Sequence, residues 1–86
     1  MEEDLGKEIG KIAHYFTKIG VAVIELTDKL KVGDTIRIKG ATSNFTQTVD
    51  SMQIEHEKLE EAKKGHSIGL KVLEHVRQGD TVYLIE

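Results

Sequence analysis

Three short segments of this 86-residue chain repeat one pattern, at residues 31–36, 64–68 and 77–82. Each has a basic residue, a glycine, a polar residue and then the start of a β-branched run. Glycine adopts the backbone angles of a tight turn, and aspartate accepts a hydrogen bond from a nearby backbone N–H as an Asx-turn. The repeat therefore predicts three turns that each open a strand. We expect His66, which replaces aspartate in the middle copy, to be an exposed turn residue. The predicted turn residues are Gly33, Asp34, Gly65, His66, Gly79 and Asp80.

The residues between these turns have the patterns of short strands. Thr35–Lys39 alternates isoleucines with polar residues, which indicates one buried and one solvated face. The run 19–26 is too apolar for a strand with a fully solvated face. A strand that begins at Lys7 is predicted to place Ile12, His14 and Phe16 on a common face.

The second half of the chain predicts further strands and no stable helix. In an extended stretch from 45 to 57, Val49, Met52 and Ile54 are expected to point inward, with a β-bulge between Val49 and Met52. Residues 59–64 permit a helix but are too few for a stable one, so we expect a turn or one helical loop that ends at Gly65. Two last strands are predicted at 67–76 and 81–85.

Six short strands separated by turns indicate an all-β fold, a small six-stranded closed β-barrel. Residues 1–6 read as a flexible acidic tail, and residues 7–86 as a single domain. The initial methionine and the acidic tail favour a natural small protein, although a barrel cut from a larger protein stays open.

The order of these motifs resembles the second domain of translational GTPases of the elongation-factor family, a six-stranded β-barrel of the translation-protein type. That resemblance implies contacts with RNA, the ribosome or a larger protein domain. No GTPase phosphate-binding motif occurs, so we expect no nucleoside triphosphate binding. The residues that carry the resemblance lie in 30–38, 49–57, 62–70 and 76–82.

Residues 10–16 and 19–23 resemble more closely the C-terminal barrel of the U32 peptidase-like family. In that family the barrel accompanies a larger catalytic domain, which implies an accessory domain for substrate or partner recognition. The resemblance thus gives an alternative function, a protein-interaction barrel that works with a U32 peptidase-like catalytic protein. The apolar outer residues Val21 and Val23 are its candidate contacts.

Composition argues against several kinds of site. The chain has no cysteine and four histidines without zinc-like spacing, so we expect no metal and no cofactor. His14 is expected to be a semi-buried histidine, and His56 to lie among glutamates that raise its pKa. No convergent acid–base or nucleophile set is recognisable, so we expect no enzyme. With no signal peptide or membrane span, a cytoplasmic location is expected.

The net charge of −3 disfavours a strong whole-surface attraction to nucleic acid but leaves room for a basic patch. Lys29, Lys31, Arg37 and Lys39 fall within eleven residues and are the predicted nucleic-acid contacts. The other interpretation is an edge strand whose basic side chains prevent aggregation. Two functional hypotheses remain, namely an RNA-binding module and a protein-interaction module.

Overall fold

The computed structural model of the protein describes residues 6–41, 44–54 and 57–85. This part of the chain is all-β and contains no helix, as predicted. Of the predicted tail, all but Gly6 lies outside the described residues. The ten strands are β1 (Lys7–Phe16), β2 (Val21–Leu26), β3 (Leu30–Lys31), β4 (Thr35–Lys39), β5 (Asn44–Thr48), β6 (Met52–Ile54), β7 (Glu57–Leu59), β8 (Glu61–Ala62), β9 (Ser67–Lys71) and β10 (Thr81–Ile85).

Eight strands form one antiparallel sheet in the order β5-β4-β10-β1-β2-β9-β6-β7, and β3 pairs with β8 separately. Within the described residues, no backbone pairing joins β5 to the other end of the sheet, so closure into a six-stranded barrel is not confirmed. A side chain instead bonds β5 to the end of β9, which lies two strands short of β7 in this order. The Gln47 amide nitrogen on β5 donates to the Lys71 carbonyl at 3.0 Å, and the Leu73 N–H donates to the Gln47 amide oxygen at 2.9 Å.

The core is built from residues that alternate inward along the strands. On β4, Ile36 and Ile38 are fully buried, and on β2 the residues Ala22, Ile24 and Leu26 point the same way. Burying an aliphatic side chain of this size contributes roughly 1.5–3 kcal/mol, which is why the alternating pattern fixes the register. No helix in the part of the chain just described is long and apolar enough to cross a membrane.

A β-bulge in β1 changes which side chains face the core. The pairing of β1 with β2 shifts between Ile12 and His14. Ile12 is buried before the bulge, whereas His14 and Phe16 beyond it are exposed and Tyr15 packs against the core. The prediction that Ile12, His14 and Phe16 share a face is therefore wrong, and so is the prediction that His14 is semi-buried. The extra residue reverses the alternation.

The predicted extended stretch 45–57 is divided rather than continuous. Val49 and Met52 are both fully buried, as predicted, but Asp50 and Ser51 between them belong to neither β5 nor β6. Ile54 packs against the core from β6. Residues 57–59 and 61–62 form two short strands, because β7 pairs with β6 and β8 with β3, and the turn expected within 59–64 lies at 63–66.

Candidate functional site

The three repeated segments fold into three turns with the same hydrogen bonds. In each, the fourth residue donates its backbone N–H to the carbonyl of the first, in Asp34 to Lys31, His66 to Lys63 and Asp80 to Arg77. In each, the glycine at the third position has a φ between +90° and +97°. That sign of φ at the third position is the one a type II turn requires, which explains glycine there.

The polar side chain of each turn accepts a hydrogen bond from the backbone N–H three residues before it. The acceptor atoms are Asp34 Oδ2, His66 Nδ1 and Asp80 Oδ2, at 3.0, 3.2 and 3.0 Å from their donors. Asp34, His66 and Asp80 thus lie in turns, and each side chain follows its donor N–H along the chain.

Replacing His66 with aspartate should leave the free energy of unfolding within about 1 kcal/mol of the parent, because aspartate makes this bond in the other two turns. His66→Ala should lower it by about 0.5–1 kcal/mol, the loss of one exposed hydrogen bond. Urea unfolding measures both, with Asp34→Ala as the matched loss of the same bond. A larger loss in His66→Asp would reveal another partner of the imidazole.

The structure separates the predicted basic residues into two groups. Lys31 lies on β3 directly opposite Glu61, and Glu60 and Glu61 line the same shallow hollow. Its positive charge therefore faces carboxylates. Lys29 is exposed, and its backbone N–H donates to Asp28. The Lys7 ammonium lies 2.5 Å from the Asp28 carboxylate. This ammonium and the Lys29 N–H hold the pKa of the Asp28 carboxyl below its ordinary value.

Arg37 and Lys39 share the outer face of β4, as predicted. Both are half-buried, and Arg37 lies between Thr46 of β5 and Tyr83 of β10 in register. They belong to the large sheet, whereas Lys31 belongs to the β3-β8 pair. The described residues thus do not gather the four predicted contacts into one basic strip. Their binding of nucleic acid stays a prediction.

No group of three or more potential metal ligands is present among residues 6–41, 44–54 and 57–85. The predicted environment of His56 lies outside the described residues, as does Glu55 beside it. Of the other histidines, His14 makes an edge-to-face contact with Phe16, with ring centroids 4.5 Å apart, and His75 makes a similar one with Tyr15 at 4.8 Å.

An apolar groove of about 490 Å³ lies on the outer face of β2 and β9. Its floor is formed by Val21, Val23 and Gly69, and Phe16 and Ile19 form one wall. These two wall residues are 47% and 61% exposed, which is unusual for apolar side chains of this size. We call this concavity the β2–β9 groove. The sequence hypothesis named Val21 and Val23 as contacts, and both line it.

The register explains how the groove forms. His14, Val23, Gly69 and Gln53 are consecutive partners across β1, β2, β9 and β6, so their side chains share one face. In the next row Phe16 pairs with Val21, and Val21 with Lys71. The bulge in β1 brings Phe16 to this face, and Gly69 leaves the middle of it empty. Sequence periodicity without the bulge predicted the opposite face for that end of β1.

Two solved structures match the overall fold of this chain. Both are of the C-terminal domain of a Geobacillus thermoleovorans protein assigned to the U32 peptidases, one of them a selenomethionine variant. One match covers all of both chains with a TM-score of 0.87 at 18% identity; the other covers 90% of this chain and 98% of that one, with 0.86 at 20%. The fold is that of this C-terminal domain.

Two relatives found by sequence are named as a protease and a collagenase. An uncharacterised protease of Methanocaldococcus jannaschii is 48% identical over 80 residues, which is 92% of this chain. A collagenase of Porphyromonas gingivalis is 38% identical over 77 residues, which is 87% of it. The chain spans about a fifth of the length of each. No family model matches the chain.

These comparisons bear on both resemblances seen in the sequence. The similarity to the U32 C-terminal domain is confirmed at the level of fold. The resemblance to the second domain of translational GTPases is not shown by the relatives and structures just described, so the translation-type barrel and the RNA or ribosome partner have no support from them.

Proposed function

We propose that this chain is a non-catalytic accessory domain that works with a U32 peptidase-like catalytic protein. The observation that carries the proposal is the coverage of the matches. Nearly the whole chain corresponds to an isolated C-terminal domain, but to only a fifth of a named protease or collagenase. The remaining four-fifths of such proteins leave ample room for the catalytic machinery, and this domain then contributes binding.

The surface also supports a binding role. An apolar concavity lined by half-buried valines and flanked by exposed Phe16 and Ile19 is typical of a recognition surface. The basic residues support the RNA alternative less well, because Lys31 faces Glu61 and the whole chain carries a net charge of −3.

A domain exchange in the Porphyromonas gingivalis collagenase tests the proposal. One variant lacks the 77-residue segment that matches this chain, and another carries residues 7–85 of this chain in its place. We expect the deletion to lower hydrolysis of denatured collagen, because it removes a binding surface, and the graft to restore hydrolysis in part. The isolated chain should release no peptides from the same substrate.

A short model peptide serves as the control for the catalytic part. It should be cleaved equally by the parent and by the deletion variant if the segment contributes binding alone. Hydrolysis by the isolated chain would contradict the non-catalytic role. A deletion variant that retains full activity on collagen and on the short peptide would contradict the accessory role.

A further inference from the structure

The β2–β9 groove has an opening that the fold itself does not require. Gly69 lies within β9, opposite Val23, and its φ is not in the left-handed region that favours glycine. A Cβ atom built there would lie 3.5 Å from Val21 Cγ1 and 3.8 Å from the Gln53 carbonyl oxygen, which are ordinary van der Waals distances. A Cβ atom therefore fits at this position.

Glycine inside a strand costs roughly 0.5–1 kcal/mol relative to alanine, and it often marks a place where a ligand or another backbone approaches closely. The empty space above Gly69 is therefore not explained by packing or by backbone conformation. It is explained by an occupant of the groove.

The size and shape of the groove favour an extended peptide. Its volume of about 490 Å³ lies within the range of roughly 300–1,000 Å³ typical of ligand sites. Val21 and Val23, two residues apart on β2, are separated by about 6.7 Å along the strand, which is also the spacing of alternate side chains in an extended ligand. Two apolar side chains of one peptide therefore match the floor.

The rim of the groove supplies polar groups suited to a peptide backbone. Gln53 and Ser67 line the wall beyond Gly69, and Ser51 lines a smaller adjoining hollow of about 170 Å³. Amide and hydroxyl side chains both donate and accept, so they match the N–H and C=O groups of a peptide. A plain hydrocarbon chain would leave them unused.

Charge distinguishes the two ends of the groove. Lys71 is the register partner of Val21. Lys18 belongs to the turn that precedes Val21 in the chain. Both lysines line hollows that adjoin the groove, and no carboxylate is among the described lining residues of these three hollows. Glu25 lies opposite Ser67, at the other end. In a chain with a net charge of −3, this basic end favours an acidic ligand group.

We propose that the β2–β9 groove binds an extended peptide that places two alternate apolar side chains over Val21, Val23 and Gly69 and an acidic residue beside Lys18 and Lys71. The inference goes beyond the accessory role, because it assigns a ligand to the isolated domain. A domain that contacts its catalytic partner through another face would bind the same peptide.

Fluorescence anisotropy with synthetic peptides tests the proposal. The probe is a fluorescein-labelled six-residue peptide of alternating leucine and threonine with aspartate at one end. One comparison peptide carries asparagine in place of the aspartate, and another carries the aspartate at the opposite end. We expect saturable binding of one aspartate peptide in about 50 mM salt, where surface charges are weakly screened. Its asparagine relative should bind more weakly.

Two sets of variants locate the site. Gly69→Val fills the floor and should weaken binding at least about tenfold, the scale of a misfit in an apolar pocket, while Thr46→Val on the outer face of β5 should not. Lys18→Glu with Lys71→Glu should weaken only the aspartate peptide, by about fivefold, since exposed ion pairs contribute little. Lys64→Glu is the matched charge control.

Several outcomes would overturn the proposal. The first is that no probe binds saturably, and the second is that Gly69→Val leaves binding unchanged. The third is that laurate displaces the probe and the asparagine peptide binds equally well, which would indicate that the groove binds a lipid. Concentration-dependent dimerisation of the parent that Gly69→Val abolishes would show that a second copy fills the groove. None of these results changes the expected outcome of the collagenase exchange.

Discussion

Replacing Gly10 with valine is expected to cost about 3 kcal/mol or more in the free energy of unfolding, whereas the same replacement at Gly69 costs nothing. Gly10 is buried in β1, between β10 and β2. A Cβ atom there would lie 2.7 Å from the Glu25 carbonyl oxygen and 2.9 Å from Ile24 Cγ2. Because a backbone atom blocks the space, two central strands must separate.

The loss expected at Gly10 is a large part of the free energy of unfolding of the whole domain. A domain of this length has a stability of roughly 4–13 kcal/mol, so the Gly10 variant should populate unfolded chains at 37 °C or begin to unfold at much lower urea concentration. Urea unfolding of both glycine variants measures the contrast. Gly69→Val adds a β-branched residue to a strand with room for it, and we expect a change within about 1 kcal/mol, in the stabilising direction.

Equal destabilisation by the two replacements would contradict this account, since it would mean that Gly69 is required by the fold. The glycine pair therefore separates a structural glycine from the one on which the groove depends. It also shows whether the Gly69→Val variant used for peptide binding is folded.

Local sequence patterns were sufficient for the parts of the fold whose geometry is set by neighbours in the chain. Thr35–Lys39 and Thr81–Ile85 are strands at the predicted bounds, because turns with glycine at the required position start them. The inward residues Val49 and Met52 were also predictable. The three-residue step between them signalled an interruption of the alternation.

The candidate site was less predictable because its parts come together through pairing between strands. Val21 and Val23 were recognised as apolar residues on an outer face, but nothing near Ala13 in the sequence signals the bulge that turns Phe16 to their side. Nor does the sequence around Gly69 show that it lies between Val23 and Gln53. The same limit applies to the contact between β5 and β9, because the Gln47 side chain makes it and periodicity cannot predict it.

Replacing Gln47 with leucine is expected to lower the free energy of unfolding by about 1–3 kcal/mol, although leucine has a similar size and is more apolar. Gln47 is only 7% exposed, and its amide group bonds to both the Lys71 carbonyl and the Leu73 N–H. Leucine would leave those two backbone groups without the partner they have now. Each of these two part-buried hydrogen bonds contributes about 0.5–1.5 kcal/mol.

Hydrogen exchange at the Leu73 amide gives a local measurement alongside urea unfolding. The Leu73 side chain is 75% exposed, so protection of its N–H from exchange depends on the bond to Gln47. We expect that protection to disappear in Gln47→Leu under conditions where the Ile24 amide stays protected. The matched control is Gln78→Leu, the same change at an exposed turn position.

A Gln47→Leu variant as stable as the parent would show that the amide bridge is not what holds β5 to the end of β9. A variant that loses both stability and Leu73 protection would show the opposite. In that case a buried side chain holds β5 to the end of β9, where no backbone pairing joins these two strands among the described residues.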